Sequence, residues 1–277
     1  MNEYKPEYKI GECEELIIDL IKLSKRNSKN VYRGYSYQNQ LYPQLFRITD
    51  LRDYEEQLLK EFDRCGSIFS NSNMVNHIDL LSNAQHFGLP TRLLDFTHNP
   101  LIALFFATFE SKKSSIPSEH PDSEWYYIRF ANANKYKMIY DLPISTMRGY
   151  PESDTIQQTA IGEVAYKGIT DAETGHSDKK KLLMLDPKPT NNRIMMQQGL
   201  FMLACGLDDE NIENVKKEHM ALVRNNTQEI KIAKDLREDI RIYLEQLGIT
   251  TYRLMPDLSN ICKTLKVNYE KKKKQQN

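Results

Sequence analysis

The chain has 277 residues, 40% of them hydrophobic and 27% charged, with Lys plus Arg and Asp plus Glu balanced at 38 each. That supplies a folded core and excludes a global field that would pull the protein onto nucleic acid or an acidic membrane. The four cysteines, Cys13, Cys65, Cys205 and Cys262, form no C-x-x-C pair, which argues against a zinc ribbon or a secreted disulfide framework and fits a reducing cytoplasm.

Over residues 10–25, Leu16, Ile17, Leu20, Ile21 and Leu23 fall largely on one helical face, so an amphipathic helix is expected. No basic segment followed by an apolar run stands at the N-terminus, and no stretch approaches the roughly 20 apolar residues of a membrane span, so neither export nor membrane insertion is expected. The polar run Ser24 to Asn30 reads as a loop. Val31-Tyr32-Arg33-Gly34 reads as a short strand whose alternation sets Arg33 on the face opposite Tyr32. Helices are expected over Asp50 to Arg64, where Tyr54, Leu58, Leu59 and Phe62 recur at helical spacing, and around Asn76 to Phe87.

The segment Gln85 to Thr108 then sets polar side chains against an apolar helix. Gly88 and Pro90 break the preceding element, Thr91, Arg92, Asp95 and Thr97 follow as a turn, and Asn99-Pro100 open a helix as N-cap and first residue. Polar groups near a helix N-terminus suit an anion. Further on, Ser111 to Glu124 reads as an exposed loop, Trp125 to Phe130 as a strand and Tyr150 to Lys181 as irregular chain. Leu182 to Leu185, Gly199 to Cys205, Met220 to Val223 and Ile230 to Ile232 read as short strands, and Lys234 to Leu247 as a helix stopped by Gly248. Asp257 in Pro256-Asp257-Leu258 is expected to cap a C-terminal helix, and the lysine tail Lys271 to Asn277 to be disordered. With helices first and strands later, the expected fold is α+β: one domain with a central, mainly antiparallel sheet of short strands flanked by helices.

Two readings stand side by side for each polar residue. Arg33 can fork onto phosphate or carboxylate, or form a structural ion pair with Asp95. His86, Thr91, Arg92, Asp95 and Thr97 are many hydrogen-bonding groups for so apolar a segment, so they satisfy either one another or a ligand. Gly34 lets a ligand approach the backbone or serves a turn. Arg193 and Gln197, four apart, share a face if that piece is helical, and Gln197 and Gln198 can orient a hydroxyl, an amide or a water but cannot act as acid or base. The histidines and cysteines show no metal-ligand spacing, so no metal is expected. The phosphate-loop, dinucleotide and nucleophile-elbow glycine motifs are missing.

Tyr32-Arg33-Gly34, the Gln85 to Thr108 segment, Arg193 with Gln197-Gln198-Gly199-Leu200-Phe201, and Pro256-Asp257-Leu258 occur in an order that resembles the FRG domain, a bacterial family named for its Phe/Tyr-Arg-Gly tripeptide. The resemblance implies an FRG domain over 30–265, preceded by an N-terminal helix in 1–29 and followed by a basic tail in 266–277. It also implies a toxin or phage-defence effector. In outline the motifs are similar to the three-part arrangement of the ADP-ribosyltransferase fold, which implies NAD as substrate and ADP-ribosyl transfer or NAD glycohydrolysis, with a protein or nucleic-acid acceptor. On that reading Arg33, His86, Asp95 and Gln198 are the catalytic candidates, and Tyr32, Gly34, Gln85, Thr91, Arg92, Thr97, Arg193 and Gln197 hold the ligand. Gln197-Gln198 stand where the transferase pattern has a glutamate, so Asp95 would have to supply the carboxylate. The alternatives are a non-catalytic sensor of a nucleotide or phospho-ligand and a nuclease using His86 and Asp95.

Overall fold

The computed structural model describes residues 5–48, 55–66, 77–109, 124–136, 138–139, 180–187, 191–205, 207, 211–257, 261–262, 265–266 and 269. In chain order the elements are β1 (Glu7–Tyr8), α1 (Cys13–Arg26), β2 (Asn30–Tyr35), α2 (Gln44–Arg47), α3 (Glu55–Gly66), α4 (His77–His86), β3 (Leu94–Thr97), α5 (Pro100–Thr108) and β4 (Trp125–Asn132). They continue as β5 (Met138–Ile139), β6 (Lys181–Leu185), α6 (Asn192–Gln197), β7 (Gly199–Cys205), α7 (Ile212–Asn226), β8 (Gln228–Ala233), α8 (Arg237–Gln246) and α9 (Thr251–Leu254). The strands form one eight-stranded sheet in the order β1-β8-β4-β2-β3-β7-β6-β5. Among the described residues only the outermost pairs, β1 with β8 and β5 with β6, are parallel. This is the expected α+β fold with a mainly antiparallel sheet.

Register assigns the two faces. Tyr32 pairs with Phe130 and Gly34 with Ile128, and this side joins Tyr126, Ile230 and Ile232 in a core closed by α1, α5 and α8. Helix α1 contributes Leu16 and Leu20 to that core. Val31, Tyr35 and Tyr127 point the other way, into a core that α7 closes with Met220 and Val223. Across β6 and β7, Leu183, Leu185, Phe201 and Leu203 pack against Leu59 of α3 and Leu81 of α4.

Two expected elements differ. Met220 to Val223 lie inside α7, because Val215, His219, Met220 and Val223 recur at helical spacing and Asn211 caps the start by accepting from Glu213 N–H. A run of four apolar residues does not by itself separate a strand from one face of a helix. The expected turn holding Asp95 and Thr97 is strand β3, paired to β7 from Leu94–Met202 to Thr97–Gly199. Asp95 and Thr97 therefore precede α5 rather than crown it, and only Asn99 caps it, accepting from Leu101 N–H at 2.9 Å. Elsewhere α4 ends where Gly88 takes φ +95°, and Gly248 stops α8. The loop expected at 111–124 lies outside the described residues except for Glu124, the irregular stretch 150–181 except for its last two residues, and the tail 271–277 entirely, as do Asp50 to Tyr54 and Leu258.

Candidate functional site

β2 and β3 share a single ladder pair, Tyr32 with Thr97. Past it the strands part, and the Arg33 side chain bridges the gap. Its Nη1 donates to the carbonyl of Asp95 at 2.7 Å and its Nη2 to the carbonyl of Gln40 at 2.6 Å, so a planar guanidinium stands in for ladder hydrogen bonds. The side chain is only 11% exposed, and burial pushes the guanidinium down to about 10, against the opposing pull of Asp95. It remains a cation at neutral pH.

At this parting opens a cleft of about 140 Å³. Arg33 lines it from β2, Arg47 from the end of α2, and Arg193 with Gln197 from α6. Helix α4 contributes Ser82, Gln85 and His86, and β3 contributes Asp95. Arg193 and Gln197 do share a helix face, as their spacing requires. Asp95, 66% exposed, places Oδ2 3.7 Å from Arg33 Nη1 and accepts at Oδ1 from Gln85 Nε2 at 2.6 Å. The Thr91 hydroxyl donates in turn to Gln85 Oε1 and accepts from Leu93 N–H at 3.2 Å. Thr91, Gln85, Asp95 and Arg33 thus form one relay: mutual satisfaction accounts for Thr91, Gln85 and Asp95 and for both Nη atoms of Arg33, its Nε staying without a partner, and the ion pair of Arg33 with Asp95 is present. For His86, burial first and the charge of Arg193 second lower the imidazole pKa, against the opposing charge of Asp257, which favours the uncharged ring less than they do.

Other candidates sit beside the cleft rather than in its wall. Tyr32 is fully buried on the opposite sheet face, stacked on Phe130 at 6.2 Å. Gly34 faces α5, where a Cβ would stand 1.7 Å from the Ala103 carbonyl oxygen, so its missing side chain admits a helix. Thr97 is buried and donates to the Gln197 carbonyl at 2.7 Å while accepting from Asn99 N–H at 3.1 Å. Gln198 adopts φ +47° at the end of α6, and its carbonyl accepts from His98 N–H at 3.0 Å. Gln197 Nε2 donates to the Leu254 carbonyl at 2.9 Å. The Gln197 carbonyl therefore meets Thr97 and the Gln198 carbonyl meets His98, holding α6 against β3. Thr91 and Arg92 are not among the lining residues.

Sequence reasoning missed Arg47 and Ser82. Arg47 stands in a four-residue helix with too little periodicity to orient it, although a basic residue soon after a suspected phosphate-binding strand was a usable signal. Ser82 was one small polar residue among several in its helix, with nothing in the sequence to mark its side as facing a cavity.

Among the described residues no group of three His, Cys, Asp or Glu side chains could hold a metal ion, and no helix is long and apolar enough to cross a membrane. Residues 28–116 match the model of the FRG domain, bearing out the resemblance over that segment. Arg193, Gln197 to Phe201 and Pro256 to Leu258 lie outside the matched residues. Comparison with curated proteins and with solved structures finds no match.

Proposed function

We propose that this FRG-domain protein binds a phosphate-bearing nucleotide in the cleft where β2 and β3 part. One observation carries the reading: arginines from three elements, Arg33, Arg47 and Arg193, line one cleft against a single carboxylate, Asp95. Guanidinium forks match phosphate oxygens, and a partly buried cleft screens their charge far less than open surface. Isothermal calorimetry of the full chain with NAD, ADP-ribose and ATP tests it. Binding that weakens with salt and falls about tenfold or more in Arg193→Gln is expected, since a charge-assisted hydrogen bond contributes about 1.5–3 kcal/mol. Absence of binding by all three ligands would dispose of it.

A second reading, NAD consumption by ADP-ribosyl transfer or glycohydrolysis, is favoured by the placement of Asp95. Its carboxylate is fixed by Gln85 and Arg33 yet exposed to the cleft, where it could face the oxocarbenium ion that forms as nicotinamide leaves. Gln197 and Gln198 offer no carboxylate, so Asp95 is the sole acid lining the cleft among the described residues. Free nicotinamide should then appear on incubation with NAD and cell extract, and Asp95→Asn should slow its release by about 10²–10³-fold. A toxin or phage-defence role goes with this reading and predicts growth arrest on expression, relieved by the same substitution. Binding without nicotinamide release would leave a sensor.

A further inference from the structure

Among the described residues, three buried polar atoms without a hydrogen-bond partner belong to residues that line the cleft: Ser82 Oγ, His86 Nδ1 and Arg33 Nε. Ser82 is 1% exposed. Ser82 and His86 are four apart on α4, so they share one helix face, while Gln85 between them is spent on Thr91 and Asp95. Folded proteins leave few buried polar groups unpaired, so each of these three calls for a partner. All three can donate: a hydroxyl, a guanidinium N–H, and a neutral imidazole in its Nδ1–H tautomer. Only the guanidinium N–H is confined to donating, and with the other two free to donate as well, an acceptor-rich anion suits all three.

We propose that these atoms form the seat of a terminal phosphate, so that the ligand is a phosphomonoester and not one whose phosphates are all internal. This rests on the reading of the cleft as a phosphate site. A terminal phosphate brings three free oxygens and a charge of about −1.5 to −2 at neutral pH, whereas each phosphate of an internal pyrophosphate brings two free oxygens and a single charge. Three donors match the first. So does the charge, because three arginines against Asp95 leave an excess of two positive charges among the lining residues. Size agrees as well: about 140 Å³ falls below the roughly 300–1,000 Å³ of pockets that enclose a whole ligand, so a head group enters and the remainder stays outside.

The test is calorimetry and thermal shift on the full chain with inorganic phosphate, adenosine 5′-monophosphate, adenosine and NAD as probes. The monophosphate should bind, inorganic phosphate should compete with it, adenosine should not bind, and NAD should bind at least about tenfold more weakly. Ser82→Ala should leave the melting temperature of the unliganded protein unchanged or higher, since it removes an unpaired buried hydroxyl, yet weaken monophosphate binding about tenfold. Arg193→Gln, at a half-buried position, should weaken it likewise. Equal affinity for NAD and the monophosphate would overturn the terminal-phosphate seat while the phosphate cleft stands. Destabilisation of the unliganded protein by Ser82→Ala would overturn it too, by showing that the hydroxyl already has a partner. Failure of every phosphate probe, NAD included, would remove both.

Discussion

Gly34→Ala puts the packing around the tripeptide under direct test. The added Cβ would meet the Ala103 carbonyl oxygen at 1.7 Å, the Ala107 nitrogen at 2.6 Å and the Ala103 carbonyl carbon at 2.7 Å. All three are backbone atoms of α5, so no rotamer change relieves the clash and the helix itself must lift from β2. That helix buries Ile102, Ala103, Leu104 and Ala107 in the core it shares with α1 and α8. Overpacking of a close-packed core costs about 1–3 kcal/mol, and contact with immovable backbone places this case at about 3 kcal/mol or beyond. Urea unfolding followed by circular dichroism should show a lower midpoint at unchanged slope, and the melting temperature should fall by about 6–12 °C. A variant as stable as the wild type that fails to bind nucleotide would refute the reasoning, because it would make Gly34 a site of ligand approach and not of helix–strand contact.

Arg33→Ala should destabilise the protein by about 2–6 kcal/mol, because two backbone carbonyls each lose a charged donor while the exposed Asp95 loses little, and Arg33→Lys should rescue little since an ammonium cannot span both carbonyls. Urea midpoints for the two variants check this, and a midpoint near wild type for either contradicts it. His219, 1% exposed, donates from Nε2 to the Leu41 carbonyl at 2.9 Å, with the rings of Tyr42 and Phe46 against it. Burial pushes this imidazole from 6.5 down to about 4, the Leu41 carbonyl opposes the shift, and the charge of Arg33 adds to it. The folded value lies below the unfolded one, so the unfolded chain binds more protons between the two. Stability is therefore full above about pH 6.5 and lost towards pH 4, by about 3 kcal/mol. His219→Gln should flatten that dependence in urea midpoints measured from pH 7 to 4.5; an unchanged slope would count against it. Asn99→Ala should cost about 1 kcal/mol through loss of the cap of α5, read in the same assay.

Much of this molecule can be read from local pattern. The periodicity of α1 and α8, the Asn99-Pro100 start of α5, the alternation of β4 and the bounds of β7 follow from neighbours in sequence, and so does the opposition of Arg33 to Tyr32. Short segments with two possible partners did not yield to that logic. Asp95 and Thr97 sit among turn-forming residues, and β3 becomes a strand only because β2 and β7 flank it. Met220 to Val223 reads either way as a run of four, and becomes helical in the longer register that Val215 and His219 set behind the Asn211 cap.

The sequence by itself determined which groups with chemistry the chain carries, because side-chain type and helical or strand period are local properties. It also determined that the early arginine and the Gln85 to Asp95 segment belong to one recognisable signature. Tertiary structure alone decided how they are used. A cleft exists because β2 and β3 separate after one pair, and whether a donor there is spent or free depends on atoms distant in the chain. Gln40 and Asp95 engage the ends of Arg33, α5 fills the space that Gly34 leaves open, and Ser82 is left without a partner. Thr91, Gln85 and Asp95 pair within one segment, but the bonds of Arg33 to Asp95 and of Thr97 to Gln197 cross 62 and 100 residues, and no window of neighbouring residues contains those.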